Sequence, residues 1–277
     1  MAKDKKRLDV LLVERNFCSS RQQAQRCIRA GEVRVAREVV DKPGTEVPIA
    51  AEIHVKPRSL YVSRGGEKLA AALEAFPITV ANRVCLDGGI STGGFTDCLL
   101  QNGARRVYGV DVGYGQVDWK LRNDPRLVLR ERTNLRHLTA EQLYAPGAEF
   151  PDLGVADLSF ISLVKVLPRL WELLQPPRDV ILLVKPQFEV GRDRVGKKGV
   201  VRHSGDRAAA IAQVIEAARA LGWNSQGVVP SPITGPAGNF EYLLWLNLRS
   251  PANPLDFQQL QEIAALGATT TSSHSQN

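Results

Sequence analysis

The spacing of apolar positions changes character along the chain. From Arg7 the run RLDVLLVERNF sets Leu8, Leu11, Leu12 and Phe17 on one side of a short helix. Ser19 and Ser20 can cap a second helix, SRQQAQRCIRAG, which Gly31 stops. Two strand-like pieces follow, EVRVAREVV and AEIHVKP, completing a helix-helix-strand-strand unit over residues 7–58 behind a charged tail, residues 1–6. Residues 59–64 read as a linker, because Pro57 cannot extend a sheet interior and Ser63 to Gly66 supplies a turn.

Over residues 65–249 the pattern alternates. A helix in GEKLAAALEAF precedes strands RVCLD, RRVYGVD, RLVLRE, LGVADLSF, DVILLVKP, QGVVPS and FEYLLWLNL, separated by helices such as TDCLLQNG, SLVKVLPRLWELL and DRAAAIAQVIEAARALG. Near-continuous apolar strands between amphipathic helices predict an α/β fold with a mostly parallel sheet covered on both faces. Ligands are then expected at the C-terminal ends of the strands. Residues 250–277, ending in ATTTSSHSQN, read as a polar tail with little to bury.

Charge refines this division. Residues 1–60 hold 13 Lys/Arg against 8 Asp/Glu, and the remainder 23 against 21, so most of the formal +7 lies at the N-terminus. A small basic unit ahead of a nearly neutral one points to a nucleic-acid contact, with a solvated basic face as the alternative. Cys18, Cys27, Cys85 and Cys98 form no C-x-x-C pair, and the four histidines do not cluster with them, so free thiols and no metal are expected. No apolar run reaches membrane-spanning length and the start lacks a signal core, which predicts a cytoplasmic protein.

Candidate chemistry collects at the predicted strand ends. LDGGISTGGF places Asp87 before Gly88, Gly89, Gly93 and Gly94, yet Gly94 and Phe95 stand where a phosphate loop needs Lys and Ser/Thr, and G-x-G-x-x-G is absent. A strand-end acid leading into a glycine turn still describes a loop for a small polar ligand. Asp111 follows 24 residues later, near the interval at which an acid meets ribose hydroxyls, or it is a turn residue. Glu131 and Asn134 end the next strand and are candidates for an adenine edge. Asp157 and Lys185 end the fourth and fifth strands, where an acid and a lysine can meet across a cleft. Burial disfavours a charged ammonium, which is one way a lysine becomes a general base, although an ordinary salt bridge is the alternative.

Two resemblances add to these patterns. Arg7-Leu8-Asp9, Ser20-Arg21, Ala24, Ile28, Gly31, Val33 and Val35 resemble the S4 RNA-binding domain. One departure is visible: Ala36-Arg37 stand where that family usually turns with Asn-Gly, so a longer or differently shaped hairpin is expected. The strings SRGGEKL, LDGGISTGGFTD, VDVGYGQ, ADLSFISL, LVKPQFEVGR and GNFEYL resemble the methyltransferase domain of the TlyA, or hemolysin A, family, related to the FtsJ-type ribose 2′-O-methyltransferases.

The second resemblance implies a Rossmann-like fold with a seven-stranded sheet, and S-adenosylmethionine bound over Asp87, Gly88, Gly89, Ser91, Thr92, Gly93, Gly94 and Phe95, with Asp111 and Asn134. It also implies a catalytic set of Lys68, Asp157, Lys185 and Glu241, with Lys185 as base, Asp157 and Glu241 holding it, and Lys68 orienting the substrate. The expected partner is ribosomal RNA, free or within a subunit, with neither DNA nor a membrane. Arg7, Arg21, Arg26, Arg29, Arg34 and Arg64 would contact it, as would Arg192, Arg194, Lys197 and Lys198 of the loop VGRDRVGKKGVVRH, unless that loop is only a solvated face. A base methyltransferase would carry [ND]-P-P-[YFW] at the fourth strand or a cysteine in the cleft; Asp157-Leu158-Ser159-Phe160 stands there instead. The competing readings are an RNA-binding ribosome-assembly factor of little turnover and a membrane-lytic protein, the latter needing a spanning segment or a long basic amphipathic helix.

Overall fold

The computed structural model describes residues 4–56, 60–250 and 254–266. Residues 1–3 of the expected tail, residues 57 and 58 at the end of the expected first unit, Ser59 of the expected linker, and residues 251–253 and 267–277 lie outside the described residues. The chain divides into two compact units, residues 1–58 and 59–277.

In the first unit strand β1 (Lys5–Arg7), helices α1 (Leu8–Glu14) and α2 (Arg21–Arg29), and strands β2 (Val33–Val35), β3 (Glu38–Val39), β4 (Glu46–Pro48) and β5 (Ile53–Val55) follow in order. Lys5 and Lys6 of the expected tail, with Arg7 of the expected first helix, instead pair antiparallel with β4. A second sheet has the order β3-β2-β5. The helical faces read from the sequence bury Leu8, Leu11, Leu12, Ala24 and Ile28 against Val33, Val47 and Ile53. Phe17 lies beyond the end of α1 and is 41% exposed. Ser20 caps α2, accepting from the Gln23 N–H at 3.3 Å.

The hairpin between β2 and β3 corrects the expected departure. Val35 pairs with Glu38, so the loop is the two residues Ala36 and Arg37, with φ of 48° and 73°. The tight turn survives without Asn-Gly because strand pairing on both sides imposes the left-handed backbone.

The second unit contains α3 (Arg64–Ala75), β6 (Val84–Gly88), α4 (Gly94–Gln101), β7 (Arg106–Val110), α5 (Trp119–Arg122), β8 (Leu127–Arg130), α6 (Ala140–Leu143), β9 (Leu153–Ala156), α7 (Leu167–Leu173), β10 (Asp179–Val184), α8 (Pro186–Glu189), α9 (Ser204–Arg219), β11 (Asn224–Pro230), β12 (Tyr242–Asn247) and α10 (Phe257–Leu266). The seven-stranded sheet has the order β11-β12-β10-β9-β6-β7-β8, with β12 antiparallel to both neighbours and the other pairings parallel. The fold is therefore Rossmann-like α/β. Strand residues alternate between two cores: Leu86, Leu182 and Val184 pack with α7 and α9, while Cys85, Ile181 and Leu183 pack with α3 and α4. Burial on both faces is why these strands read as unbroken apolar runs.

The C-terminal segment departs from expectation. Residues 257–266 form α10, whose Leu260 and Ala264 are buried against the sheet unit. The Ala264 carbonyl accepts from Arg207 Nη2 at 2.8 Å and from the Tyr242 hydroxyl at 3.2 Å. The apolar residues Phe257, Leu260, Ile263 and Ala264 recur at helical spacing, so part of the presumed tail does have something to bury.

Candidate active site at the ends of β6, β9 and β10

Chain order reverses between β6 and β9, whose C-terminal ends flank the crevice where open α/β sheets bind ligands. The Asp157 N–H donates to the Gly88 carbonyl at 3.1 Å, joining the two strand ends there. A cleft of about 330 Å³ opens beside them, within the range of small-molecule pockets. Its walls include Arg64 and Lys68 of α3, Gly89 to Thr92, Gly94, Phe95, Asp157, Ser159, Lys185 and Glu241. Lys68 and Glu241, 173 positions apart in sequence, thus converge.

The four charged residues form two pairs. Lys185 Nζ lies 2.6 Å from Asp157 Oδ1 and donates to Ser159 Oγ at 2.8 Å. Lys68 Nζ donates to Glu241 Oε2 at 2.5 Å. Glu241 thus holds Lys68, and not Lys185 as the resemblance implies. The lysine side chains are 10% and 11% exposed, and Glu241 is 1% exposed. Strand reversal explains how Glu241 arrives: it precedes antiparallel β12, so it lies at the same edge as residues that follow parallel strands.

The glycine loop is shaped first by the protein itself. Gly89 has φ of +85°, and a Cβ there would stand 2.5 Å from the Asp157 carbonyl oxygen. A Cβ on Gly94 would meet Ser63 Oγ at 2.3 Å and the Gly66 nitrogen at 2.8 Å, so α3 and α4 approach through this residue. Phe95 is only 3% exposed and packs in the core shared by these helices, with one edge toward the cleft.

Asp87 lies under the loop, fully buried, with Oδ2 accepting from the Thr96 hydroxyl at 2.6 Å and Oδ1 unpartnered. Burial pushes its carboxyl up to about 7. A buried acceptor without a donor fits a ligand that brings a donor or positive charge, and the loop still lacks a phosphate-binding lysine. Asp111 uses its carboxylate on backbone, accepting from the Ser91 N–H at 2.7 Å and the Gly113 N–H at 2.6 Å, and so closes the loop from the next strand. Asp87, Gly88, Gly93 and Asp111 support the cleft without lining it. Glu131 is bound by Arg122 at 2.6 Å, which lowers its carboxyl. Asn134 caps a short turn and borders a separate depression with Arg130, Arg132 and His137.

Two residues near the cleft escaped the sequence reading. Ser159 and Phe160 stand in an apolar string, yet Ser159 contacts Lys185 while Phe160 is 93% exposed at φ 65°. The Phe160 ring lies 5.4 Å from that of Phe188, making a small aromatic wall next to the Lys185 strand end.

The basic residues fall into two groups. Arg26, Arg29 and Arg34 are exposed and have no acidic partner among the described residues. Arg7 and Arg21 both bind fully buried Asp9, at 3.1 and 2.9 Å, with Gln25 adding a third donor at 2.9 Å. In the sheet unit Arg64, Arg192, Lys197 and Lys198 are exposed, and Arg194 lies 3.7 Å from Asp206. The loop carrying Arg192, Arg194, Lys197 and Lys198 is pinned at its far end by buried Asn239, which accepts from the Val201 N–H and donates to the Gly199 carbonyl. Among the described residues no helix is long and apolar enough to cross a membrane.

This fold, with its strand-end cleft and glycine loop, defines a methyltransferase-type domain. A model described as FtsJ-like methyltransferase matches residues 61–248, and one for the S4 domain matches residues 6–53. The chain belongs to the FtsJ-like methyltransferase family and carries an S4 domain. It is 51% identical over 246 residues to "16S/23S rRNA (cytidine-2'-O)-methyltransferase TlyA" of Mycobacterium tuberculosis, covering 88% of this chain and 90% of that protein. It is 40% identical over 237 residues to "Hemolysin A" of Brachyspira hyodysenteriae, covering 86% and 98%. The solved structure "Putative hemolysin from Streptococcus thermophilus" is 38% identical, with a TM-score of 0.76 and all of both chains covered.

Proposed function

We propose that this methyltransferase uses S-adenosylmethionine to methylate a ribose 2′-hydroxyl of ribosomal RNA, at cytidine by analogy with the Mycobacterium tuberculosis relative, while its S4 domain anchors the RNA. The observation that carries the reading is the convergence of Lys68, Asp157, Lys185 and Glu241 on one cleft beside the glycine loop. S-adenosylmethionine supplies the methyl group. Gly89 to Thr92 and Gly94 would receive that cofactor, with Asp111 fixing the loop from the next strand and Asp87 tied to Thr96 of α4 beneath it.

A ribose hydroxyl is a poor nucleophile until its proton leaves. Lys185 would first give up its own proton, to Asp157 at 2.6 Å or to solvent, and the neutral amine then accepts the hydroxyl proton; Asp157 stabilises the ammonium that results, while Ser159 at 2.8 Å fixes its direction. The Lys68–Glu241 pair holds α3 against the start of β12 and so shapes the opposite wall of the cleft. Much of the remaining rate enhancement comes from holding the hydroxyl in line for attack. The exposed ring of Phe160 offers a face on which the target base stacks, worth about 1–3 kcal/mol. That contact offsets part of the cost of drawing the nucleotide out of its helix.

Two measurements test the reading. Lys185→Ala is expected to lower kcat by about 10²- to 10⁴-fold while leaving S-adenosylmethionine affinity nearly intact; near-normal turnover would remove the base assignment. Mapping of rRNA from cells with and without the gene is expected to show a 2′-O-methyl that depends on it. A gene-dependent methyl on a base, or no change in methylation, overturns the assignment.

A further inference from the structure

Glu189 is a buried carboxylate, 6% exposed, that the proposed chemistry does not use. It sits four positions after Lys185, at the end of α8. Its Oε1 accepts from the Leu163 N–H at 2.8 Å and its Oε2 from the Ser162 hydroxyl at 2.6 Å. One side chain therefore ties the segment after β10 to the segment after β9. Each segment carries half of the Lys185–Asp157 pair and half of the Phe160–Phe188 aromatic pair.

Phe160 needs such a tie. A bulky residue at φ 65° is strained, and strain of this kind persists only where the surroundings over-determine the backbone. Upstream, Ser159 is held by Lys185; downstream, Ser162 and Leu163 are held by Glu189. Among the described contacts the Phe160 ring itself touches only Phe188 across 5.4 Å and is otherwise in solvent, so its direction depends on these two brackets. Burial raises the Glu189 carboxyl and its two donors pull it back, consistent with a group kept for its hydrogen bonds.

We propose that Glu189 is a positioning residue for substrate: by clamping Ser162 and Leu163 it holds Phe160 in its strained, outward conformation, one residue from Ser159 in the wall of the catalytic cleft. The proposal rests on the RNA methyltransferase reading above. It assigns Glu189 no contact with the reacting atoms.

The test uses the full chain, S-adenosylmethionine binding by titration, and methyl transfer into rRNA from cells lacking the gene. Glu189→Leu is expected to lower kcat/KM for RNA at least tenfold while the S-adenosylmethionine Kd changes less than twofold. Glu189→Gln can accept from Leu163 and donate to the Ser162 oxygen, so it is expected to recover activity to within about threefold of wild type. In a Phe160→Ala background the Glu189→Leu change should cost little more, since both act through one ring. Ser162→Ala, which removes one of the two contacts, gives a smaller loss of the same kind and serves if the Leu variant does not fold. Additive losses, or an S-adenosylmethionine Kd that weakens in step with activity, overturn the positioning role. Wild-type protein that methylates no rRNA overturns the parent reading and this one with it; an active wild type with an unimpaired Glu189→Leu overturns this one alone.

Discussion

In the S4 unit the buried partner of the main ion-pair network is an acid: Asp9 is wholly inaccessible, while Arg7 and Arg21 are 48% and 56% exposed. In the cleft of the sheet unit both signs are buried, with Lys68 at 11%, Glu241 at 1%, Lys185 at 10% and Asp157 at 24%. The first arrangement turns cationic edges outward in a fixed direction and leaves a field that a polyanion can feel. The second nearly cancels its own field and instead holds donors and acceptors in place. Long-range attraction for RNA should thus draw on the S4 unit, joined by the exposed Arg192, Lys197 and Lys198 of the sheet unit, while turnover belongs to the self-neutralised cleft.

Breaking the cleft pairs should have the largest effect. Lys68→Met strands Glu241 in the interior and is expected to destabilise the sheet unit by about 3–5 kcal/mol. Adding Glu241→Leu should restore much of that in denaturant unfolding, while methyl transfer stays lost. Failure of the double variant to regain stability would mean that the pair is not a closed unit.

Asp9→Asn should cost the S4 unit about 1–3 kcal/mol, because three donors lose a charged acceptor. The Arg7 guanidinium holds the Asp9 carboxyl well below its ordinary 3.8, so its contribution is complete above that pH and fades as pH falls further. Wild-type and variant unfolding curves should converge in acid, with S-adenosylmethionine affinity the same in both.

Asp87 provides a smaller, reversible handle. Its carboxyl is raised to about 7, so its contribution to the stability of the ligand-free protein is full below 3.8 and is lost as pH rises through 7. A ligand bearing a positive amine reverses that preference. Affinity for S-adenosylmethionine should weaken as pH falls below 7, approaching tenfold per unit, and Asp87→Asn should flatten the profile. A pH-independent wild-type affinity would show that Asp87 does not sense the ligand.

The finest test is Arg29→Ala. Loss of one phosphate contact should reduce the salt dependence of RNA binding by about 0.7–0.9 in log–log slope, depending on strandedness. An unchanged slope would remove Arg29 from the RNA surface.

The sheet and three of its strand-end residues were legible because period and polarity are local signals: an apolar run that stops at Asp87, Asp157 or Lys185 places the polar group at one edge of a parallel sheet. The partner of Glu241 was not legible, since its pairing depends on the reversal of β12 and on a lysine far away in sequence. Phe160 was hidden for the opposite reason, because an aromatic in an apolar string reads as core. At Ala36 and Arg37 local propensity argued against the tight turn, and the pairing of β2 with β3 overrode it. Helix α10 had a readable apolar spacing, masked by the polar residues that follow it.

The span of the Lys68–Glu241 contact also bears on how the molecule acquires its activity. Strands β11 and β12 form a hairpin from near neighbours in sequence, but Glu241 meets Lys68 only across 173 residues. Closing so long a loop is among the slower, entropically dearer steps of folding. A nascent or truncated chain can assemble much of the sheet and still lack a cleft, so competence for catalysis arrives late and reports that the whole unit has closed.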